Sequence, residues 1–177
     1  GEEIIHELET PLEEGTLAEG IIDWQKRYDN MQQHTGEHIF SGLVHKHFGY
    51  DNVGFHMGTD EVTVDFNGII TQEQLDALED EANQLIYDNV PVHVFYPPQE
   101  ELEQLDYRSK KELTGVVRIV EIPGGDICAC CGTHVETTGE VGIIKLRTMI
   151  NYKGGVRISM LCGRRALMDY RERLKDE

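Results

Sequence analysis

Two pairs of potential metal ligands, nearly a hundred residues apart, constrain the fold of this chain more than any other feature of its sequence. His34 and His38 are four positions apart, and so are Cys130 and His134. Residues i and i+4 share one face of an α-helix, so the first two imidazoles can converge on a single ion. Together the pairs offer three imidazoles and one thiolate, a set that suits tetrahedral zinc. We therefore predict a fold that brings both segments together around one Zn²⁺ ion.

The segment around the first pair has the pattern of an amphipathic helix. Asp29 or Asn30 can cap its start, and Gly49 is placed to end it in a left-handed conformation. Gly36 and Gly42 lie inside this helix although glycine is a poor helix former, so we expect another element or a substrate to approach the backbone there closely. Apolar residues recur at the spacing of a buried face: Ile39, Phe40, Leu43, Val44 and Phe48.

The second pair follows a turn-forming Pro-Gly-Gly-Asp sequence at 123–126, which predicts a loop or turn between strands. Either pair alone is weak evidence for a metal, but their joint occurrence in one chain favours zinc. Cys128 and Cys131 offer an alternative, because a Cys-x2-Cys spacing is also typical of half a zinc knuckle or of a redox pair. No second Cys-x2-Cys exists to complete an all-cysteine site, and Cys162 stands alone.

The length and composition predict a globular protein without a membrane segment. A chain of 177 residues can bury about 70% of its unfolded surface in one domain. No run approaches the ~18 apolar residues of a membrane span, and the N-terminus lacks the form of a signal peptide. Four cysteines, three of them between Cys128 and Cys131, do not form a disulfide framework, so we expect a cytoplasmic protein. The chain begins with glycine, and we expect it to be part of something longer.

The net charge of −17 would ordinarily exclude a nucleic-acid partner, because phosphates are bound mainly by Lys and Arg. The distribution of charge changes that argument, since residues 73–106 contain no Lys or Arg whereas residues 145–177 are rich in both. A basic end can hold a polyanion. The alternative is a solvated helix face, which we favour for residues 171–175.

The remaining patterns predict an α+β domain with two long helices on one face of an antiparallel sheet. Thr71, followed three residues later by Gln74, predicts a capping box for a second helix over 71–88. Further helices are predicted over 100–106 and from 164 to the end, and a hairpin turn at Tyr152-Lys153-Gly154-Gly155. The predicted strands cover 4–8, 16–23, 53–56, 62–66, 92–95, 116–122, 141–149 and 156–161.

The two metal-ligand motifs resemble those of a known family. The helix motif reads His34-Thr35-Gly36-Glu37-His38, and the second stretch reads Cys130-Cys131-Gly132-Thr133-His134-Val135-Glu136-Thr137-Thr138-Gly139-Glu140-Val141-Gly142. Together they resemble the editing domain of alanyl-tRNA synthetase and its free-standing relatives, the alanyl-tRNA editing proteins of the AlaX type. The resemblance runs from about Asp23 to Ala166, and a related zinc-site domain occurs in threonyl-tRNA synthetase.

The resemblance implies an aminoacyl-tRNA deacylase that serves translation fidelity without ATP. Its expected substrates are Ser-tRNA(Ala) and, as a second, Gly-tRNA(Ala). By motif position, the zinc ligands are His34, His38, Cys130 and His134. Zinc can lower the pKa of a bound water or polarise the ester carbonyl. Since four protein ligands leave no room for water, either one ligand is loosely held or the metal anchors the substrate amino group.

Candidate binding residues follow from the same resemblance. An editing pocket must reward the Ser hydroxyl or disfavour the Ala methyl, and Gly54, Phe55, His56 and Thr133 are candidates to line it. For each of them the alternative is an ordinary strand or turn residue. The tRNA acceptor end is expected along the basic C-terminal part, with phosphate contacts from Lys153, Arg157, Arg164 and Arg165.

The chain departs from the family pattern in three ways that shape the predicted domains. Cys131 stands where the family usually has Gly, so a second thiol could compete for the metal. Only the last part of a small N-terminal β-subdomain is expected, over residues 1–23, before an editing domain over 24–165. Residues 166–177 are expected to form a helix that starts a linker, and a homodimer would form through a region beyond it.

Three other functions stay open at the level of sequence. The chain could be a zinc-stabilised RNA-binding module without hydrolytic activity. It could edit a different mischarged tRNA. It could also be a thiol-redox protein built on Cys128 and Cys131, which would need an exposed thiol of low pKa.

Overall fold

A computed structural model describes residues 3–110 and 113–176 as four α-helices, seven β-strands and one 3₁₀-helix. The helices are α1 (Trp24–Phe48), α2 (Gln72–Asp88), α3 (Gln99–Leu102) and α4 (Gly163–Arg173), and the 3₁₀-helix is Thr138–Val141. The strands are β1 (Asn52–Met57), β2 (Val62–Phe66), β3 (His93–Phe95), β4 (Ile119–Ile122), β5 (Asp126–Ala129), β6 (Ile144–Tyr152) and β7 (Gly155–Cys162).

The strands form two open antiparallel sheets. The larger sheet has the order β1-β2-β7-β6, and the smaller has the order β3-β4-β5. The predicted α+β class is therefore confirmed, with the strands divided between two sheets. The helix α1 contacts strands of both sheets, β7 and β1 in the larger and β5 in the smaller, so it joins them into one unit.

The main core lies between α1, α2 and the larger sheet. Phe40 and Phe66 meet edge to face with ring centroids 5.6 Å apart, and both are buried. Leu43 of α1 and Leu78 of α2 belong to the same buried cluster, together with Ile158 of β7. A smaller cluster forms under the three-stranded sheet around Ile119.

Several predicted helix ends and turns are confirmed, and one is wrong. Gly49 ends α1 with φ of 69°, and Thr71 forms the predicted capping box with Gln74. The predicted cap at Asp29 or Asn30 is wrong, because α1 begins earlier and Asp23 caps it by accepting a hydrogen bond from the Lys26 N–H. The short acidic helix ends at Leu102, before the predicted limit.

The predicted strands over 4–8 and 16–23 are wrong. Residues 3–22 form no helix or strand, and the side chains of Ile4, Ile5, Leu17 and Ile21 are more than four-fifths exposed. A strand needs a hydrogen-bonding neighbour, and no described strand lies beside this segment. Two predicted segments reach the chain ends, the N-terminal segment 1–23 and the C-terminal helix 166–177. Residues 1–2 of the first and residue 177 of the second lie outside the described residues.

The prediction of a loop over the segment before Cys130 is partly wrong, because residues 126–129 form the strand β5. Its pairing with β4 joins Ile119 to Ala129 and Ile122 to Asp126. Residues 123–125 do form the predicted turn. No helix in the described part of the chain is long and apolar enough to cross a membrane.

The two glycines inside α1 lie at the predicted close approaches. A Cβ atom at Gly36 would overlap the Cys162 sulfur at the end of β7, and one at Gly42 would overlap the backbone oxygen of Gly125. In both cases the close neighbour is another segment of the protein, which was one of the two predicted alternatives. Small residues on α1 thus let it approach both sheets, and this places its histidines beside the end of β5.

Candidate metal centre

The structure brings the four candidate metal ligands together. The Cys130 Sγ lies 3.5 Å from His34 Nε2 and 3.6 Å from His134 Nε2. With His38, all four ligand atoms lie within 4.8 Å of one another. Ligands about 2.3 Å (sulfur) and about 2.0 to 2.1 Å (nitrogen) from a tetrahedral zinc ion stand about 3.6 Å apart. The donor set and its spacing therefore fit Zn²⁺.

Hydrogen bonds at the other ring nitrogens orient two of the imidazoles. His34 Nδ1 donates to the Thr133 carbonyl oxygen at 3.1 Å, which leaves Nε2 free. His134 Nδ1 lies 3.0 Å from Thr35 Oγ1, which also accepts a hydrogen bond from the Val135 N–H. Such partners fix the ring and the tautomer of metal-binding histidines. Each ring therefore presents Nε2 to the shared centre.

The third imidazole is held by a buried carboxylate that is itself paired. His38 Nδ1 lies 3.0 Å from Asp126 Oδ2, and Arg108 donates to both Asp126 oxygens at 2.7 and 2.8 Å. Burial would raise the pKa of Asp126, but the hydrogen bonds from His38 and Arg108 hold it below its usual range. The carboxylate is therefore ionised and can accept the His38 N–H.

Sequence reasoning missed Asp126 and Arg108 as parts of this centre. In the sequence, Asp126 was considered only as the last residue of a predicted turn. Its position just before the Cys128–Cys131 cluster could have marked it as a residue near the metal centre. Arg108 is the first basic residue after the long acidic stretch over 73–106, which could have marked it as a partner for a buried acid. No local pattern linked it to Asp126.

The thiol of Cys130 lies in surroundings that favour its thiolate. Burial would raise its pKa, but interactions of the sulfur with the His134 and His34 imidazoles lower the pKa to about 3. The Gly132 N–H also points to the sulfur at 3.4 Å. Arg118 donates to the carbonyl oxygens of Cys130 and Gly132 and so fixes this loop. Since the thiolate is the form that binds metal, Cys130 suits the ligand role.

A second group of potential ligands shares His38 with the first. His38, Asp126 and Cys128 have ligand atoms within 4.8 Å of one another, and all three are buried. Both Asp126 oxygens are already engaged, and burial raises the pKa of the Cys128 thiol to about 12. This group is therefore a poorer cation site than the first.

The other cysteines lie apart from the four-ligand group. Cys131 is exposed and belongs to neither group of ligand atoms in the described part of the chain. Cys162 is buried, and burial raises its pKa. Because Cys128 is also buried with a raised pKa, it lacks the reactive thiolate that a redox pair with Cys131 needs.

Two of the predicted pocket residues lie at the centre, and two do not. The Phe55 ring stacks on His34 with centroids 6.1 Å apart, and the Thr133 carbonyl contacts the same imidazole. Gly54 and His56 alternate with Phe55 along β1, so they occupy the opposite face of the strand. A cavity of about 260 Å³ lies beside the ligand group and is lined by residues that include Lys110, Val117, Arg118 and Cys130.

The predicted phosphate-binding residues lie on two elements and have partners within the protein. Arg157 of β7 forms a bidentate pair with Asp65 and stacks over the Tyr152 ring at 3.8 Å. Lys153 lies over the same ring from the hairpin turn, where it and Gly154 have positive φ. On α4, Arg164 pairs with Asp29 and Arg165 donates to the carbonyl oxygens of Gly58 and Thr59.

Comparison with known proteins first gives a family match over part of the chain. Residues 117–159 match the family described as threonyl and alanyl tRNA synthetase second additional domain. This segment contains Cys130 and His134, so half of the candidate ligand set lies within it.

Similarity over nearly the whole chain then points to particular relatives. The chain is 37% identical to the alanyl-tRNA editing protein AlaX-L of Pyrococcus horikoshii over 167 residues, which is 92% of the chain and 41% of the relative. It is 34% identical to an alanyl-tRNA editing protein of Xenopus laevis, covering 94% of the chain and 42% of the relative. An alanine–tRNA ligase of Ignicoccus hospitalis is 33% identical over 93% of the chain and 19% of its own length.

These findings confirm the resemblance to alanyl-tRNA editing proteins. The chain spans less than half the length of these relatives.

Proposed function

We propose that this protein hydrolyses the ester bond of mischarged aminoacyl-tRNA, as an editing deacylase that acts in trans and requires Zn²⁺. The observation that carries the proposal is the convergence of His34, His38, Cys130 and His134 from two distant segments. The names of the relatives support it, since several are alanyl-tRNA editing proteins. We propose Ser-tRNA(Ala) as the main substrate and Gly-tRNA(Ala) as a second. A cytoplasmic location is part of the proposal.

The four proposed ligands suit a catalytic metal because other groups of the protein contact each of them and orient it. Zinc bound there would supply Lewis acidity for the ester carbonyl or for the attacking water. An aminoacyl ester is already activated, so a modest stabilisation of the developing charge is sufficient. The buried pair of Asp126 and Arg108 holds the His38 ring in place, which keeps the set preorganised.

We propose that the aminoacyl group lies against Phe55 and Thr133. Both contact His34, and Phe55 offers an apolar wall next to the centre. The cavity beside Cys130 has room for part of the 3′ end, and Lys110, whose Nζ lies 5.4 Å from the Phe55 centroid, supplies a positive charge there. Of the candidate substrate residues, Thr133 therefore has stronger structural support than Gly54 or His56.

We propose that the tRNA backbone contacts the hairpin and α4, through Lys153, Arg157, Arg164 and Arg165. Lys153 stands at the tip of the hairpin, which suits contact with a large polyanion. The three arginines already have acidic or carbonyl partners, so each would have to share its N–H groups with a phosphate. Most of the affinity is therefore expected from Lys153 and from surface charge in general.

The test of this function is deacylation of Ser-tRNA(Ala), Gly-tRNA(Ala) and correctly charged Ala-tRNA(Ala) by the zinc-loaded protein. We expect release of Ser and sparing of Ala, with a loss of at least about 100-fold in the His38→Ala variant because the metal is lost. His45→Ala, in the same helix and outside the ligand group, is the matched control and should keep its activity.

Absence of Ser release by zinc-loaded protein would contradict the proposal. Retention of tRNA without hydrolysis would then favour a zinc-stabilised RNA-binding module. Release of a different amino acid from a different tRNA would support the proposed ester hydrolysis but contradict the proposed substrate.

A further inference from the structure

Glu37 is a buried acid that stands between two of the proposed ligands. It follows His34 by three positions on α1 and directly precedes His38. Its side chain has no exposed surface. A charged carboxylate in such a place is costly unless it is compensated. Its surroundings should therefore show what compensates it.

One of the two carboxylate oxygens is fully engaged. Glu37 Oε1 accepts hydrogen bonds from Ser41 Oγ at 2.7 Å and from Asn52 Nδ2 at 2.6 Å. Asn52 Nδ2 also lies 3.1 Å from Ser41 Oγ, so the three side chains form one network. This network holds the carboxylate in a single orientation, with its other oxygen directed away from Ser41 and Asn52.

The second oxygen has no hydrogen-bond partner among the described residues, although it is buried. Glu37 Oε2 lies 3.9 Å from His38 Nε2. That nitrogen is the one that Asp126 leaves free for a metal, because Asp126 engages Nδ1. The unpartnered oxygen therefore lies beside the place where the four ligands converge. Buried polar atoms without partners commonly mark an absent ion or water.

We propose that Glu37 belongs to the metal centre and retains the divalent cation by its charge, from outside the four ligands. The inference rests on the proposed metal centre. A Zn²⁺ ion bound by one thiolate and three neutral imidazoles carries a net charge of about +1. The Asp126 charge is already neutralised by Arg108, whereas the second oxygen of Glu37 accepts no hydrogen bond within residues 3–110 and 113–176. The Glu37 carboxylate can thus balance the remaining charge of the ion.

The test is the zinc affinity of the loaded protein, measured by competition with a chromophoric chelator. Glu37→Gln keeps the shape and removes the charge, so we expect zinc to bind about 10–100-fold more weakly, as for other outer partners of metal ligands. Ser41→Ala keeps the charge and removes one hydrogen bond, and its loss should stay below about 3-fold. Glu79→Gln removes a carboxylate charge from α2, outside both ligand groups, and should bind zinc like the wild type.

Spectra of the Co²⁺-substituted protein distinguish an outer position from direct ligation. We expect the wild type and Glu37→Gln to show the same visible bands of a four-ligand site. A change in those bands would make Glu37 a ligand and overturn the proposal, as would equal zinc affinity in the two proteins. Failure of the wild type to bind zinc would overturn the metal centre and this inference together. A protein that binds zinc but releases no Ser would contradict the proposed deacylase function and leave the inference about Glu37 standing.

A third variant covers the case in which Glu37→Gln does not fold, which circular dichroism would show. Glu37→Asp retains the charge with one methylene less, so its zinc affinity should remain within about 3-fold of the wild type. A loss of about 100-fold in this variant would show that shape rather than charge is required, and would overturn the proposal.

Discussion

At the scale of single residues, the candidate centre depends on hydrogen bonds that hold each ligand from behind. The His38 ring is held by Asp126, and Asp126 is held by Arg108, whose side chain is 9% exposed. Through these linked hydrogen bonds, the charge of Arg108 influences the His38 imidazole by way of Asp126. Its members are therefore important both for the metal and for the stability of the fold.

We predict that Asp126→Asn damages both properties. Arg108 would be left as a buried charge without its partner, which typically costs about 3–5 kcal/mol of unfolding free energy. Zinc affinity should fall about 10–100-fold because His38 loses the negative charge of its acceptor. Urea unfolding and chelator competition measure the two effects. Asp51→Asn, at an exposed acid near His45, is the control. An Asp126→Asn protein as stable as the wild type would contradict the role of the pair.

At the scale of elements, α1 positions the centre because it contacts both sheets. Its middle carries His34 and His38, and glycines at two of its positions let the sheets approach closely. The close approach of Gly42 to Gly125 lies next to Asp126, the residue that holds His38. The spacing between α1 and β5 thus determines whether the two ligand pairs can meet.

We predict that Gly42→Ala destabilises the protein although alanine favours helices by about 1 kcal/mol over glycine. The new Cβ would overlap backbone, which cannot yield as a flexible side chain can, and overpacking of this kind costs about 1–3 kcal/mol. Thermal unfolding checks the sign. Lys46→Ala, at an exposed position of the same helix, should change stability by less than about 0.5 kcal/mol. A more stable Gly42→Ala protein would show that α1 can move away from β5.

At the scale of the whole molecule, the protein is strongly acidic yet carries nine of its 16 Lys and Arg residues between positions 145 and 177. In the described part of the chain, three of those residues pair with acids from earlier elements, namely Lys145 with Glu79, Arg157 with Asp65 and Arg164 with Asp29. The positive potential available to the proposed tRNA partner is therefore smaller than the number of basic residues suggests. We expect tRNA binding to be weak and sensitive to salt.

We predict that Lys153→Ala weakens binding of uncharged tRNA and lowers the slope of log affinity against log salt by about 0.9, the loss of one phosphate contact. Fluorescence titrations at several salt concentrations measure both. Lys175→Ala, which removes a lysine paired with Glu172 on α4, should leave the slope unchanged. Equal slopes for wild type and Lys153→Ala would remove the hairpin from the proposed tRNA contact.

Local features of the fold could be predicted because they depend on neighbours in the sequence. The capping box at Thr71, the left-handed end at Gly49 and the hairpin around Lys153 and Gly154 all follow from short-range geometry. The four candidate ligands could be proposed for the same reason, since each pair has a recognisable spacing. The segment 4–23 shows the limit, because strands were predicted over 4–8 and 16–23 and no described strand lies beside them to pair with.

The sequence by itself determined which side chains could bind a metal and which segments form most of the helices and strands, because spacing and periodicity act within a few residues. Only the tertiary structure decided that the strands form two sheets, that Phe55 rather than His56 faces the centre, and that Arg108, Asp126 and Glu37 surround His38. These features depend on burial and on contacts between residues far apart in the chain, and no local pattern encodes which distant groups will share the low-dielectric interior.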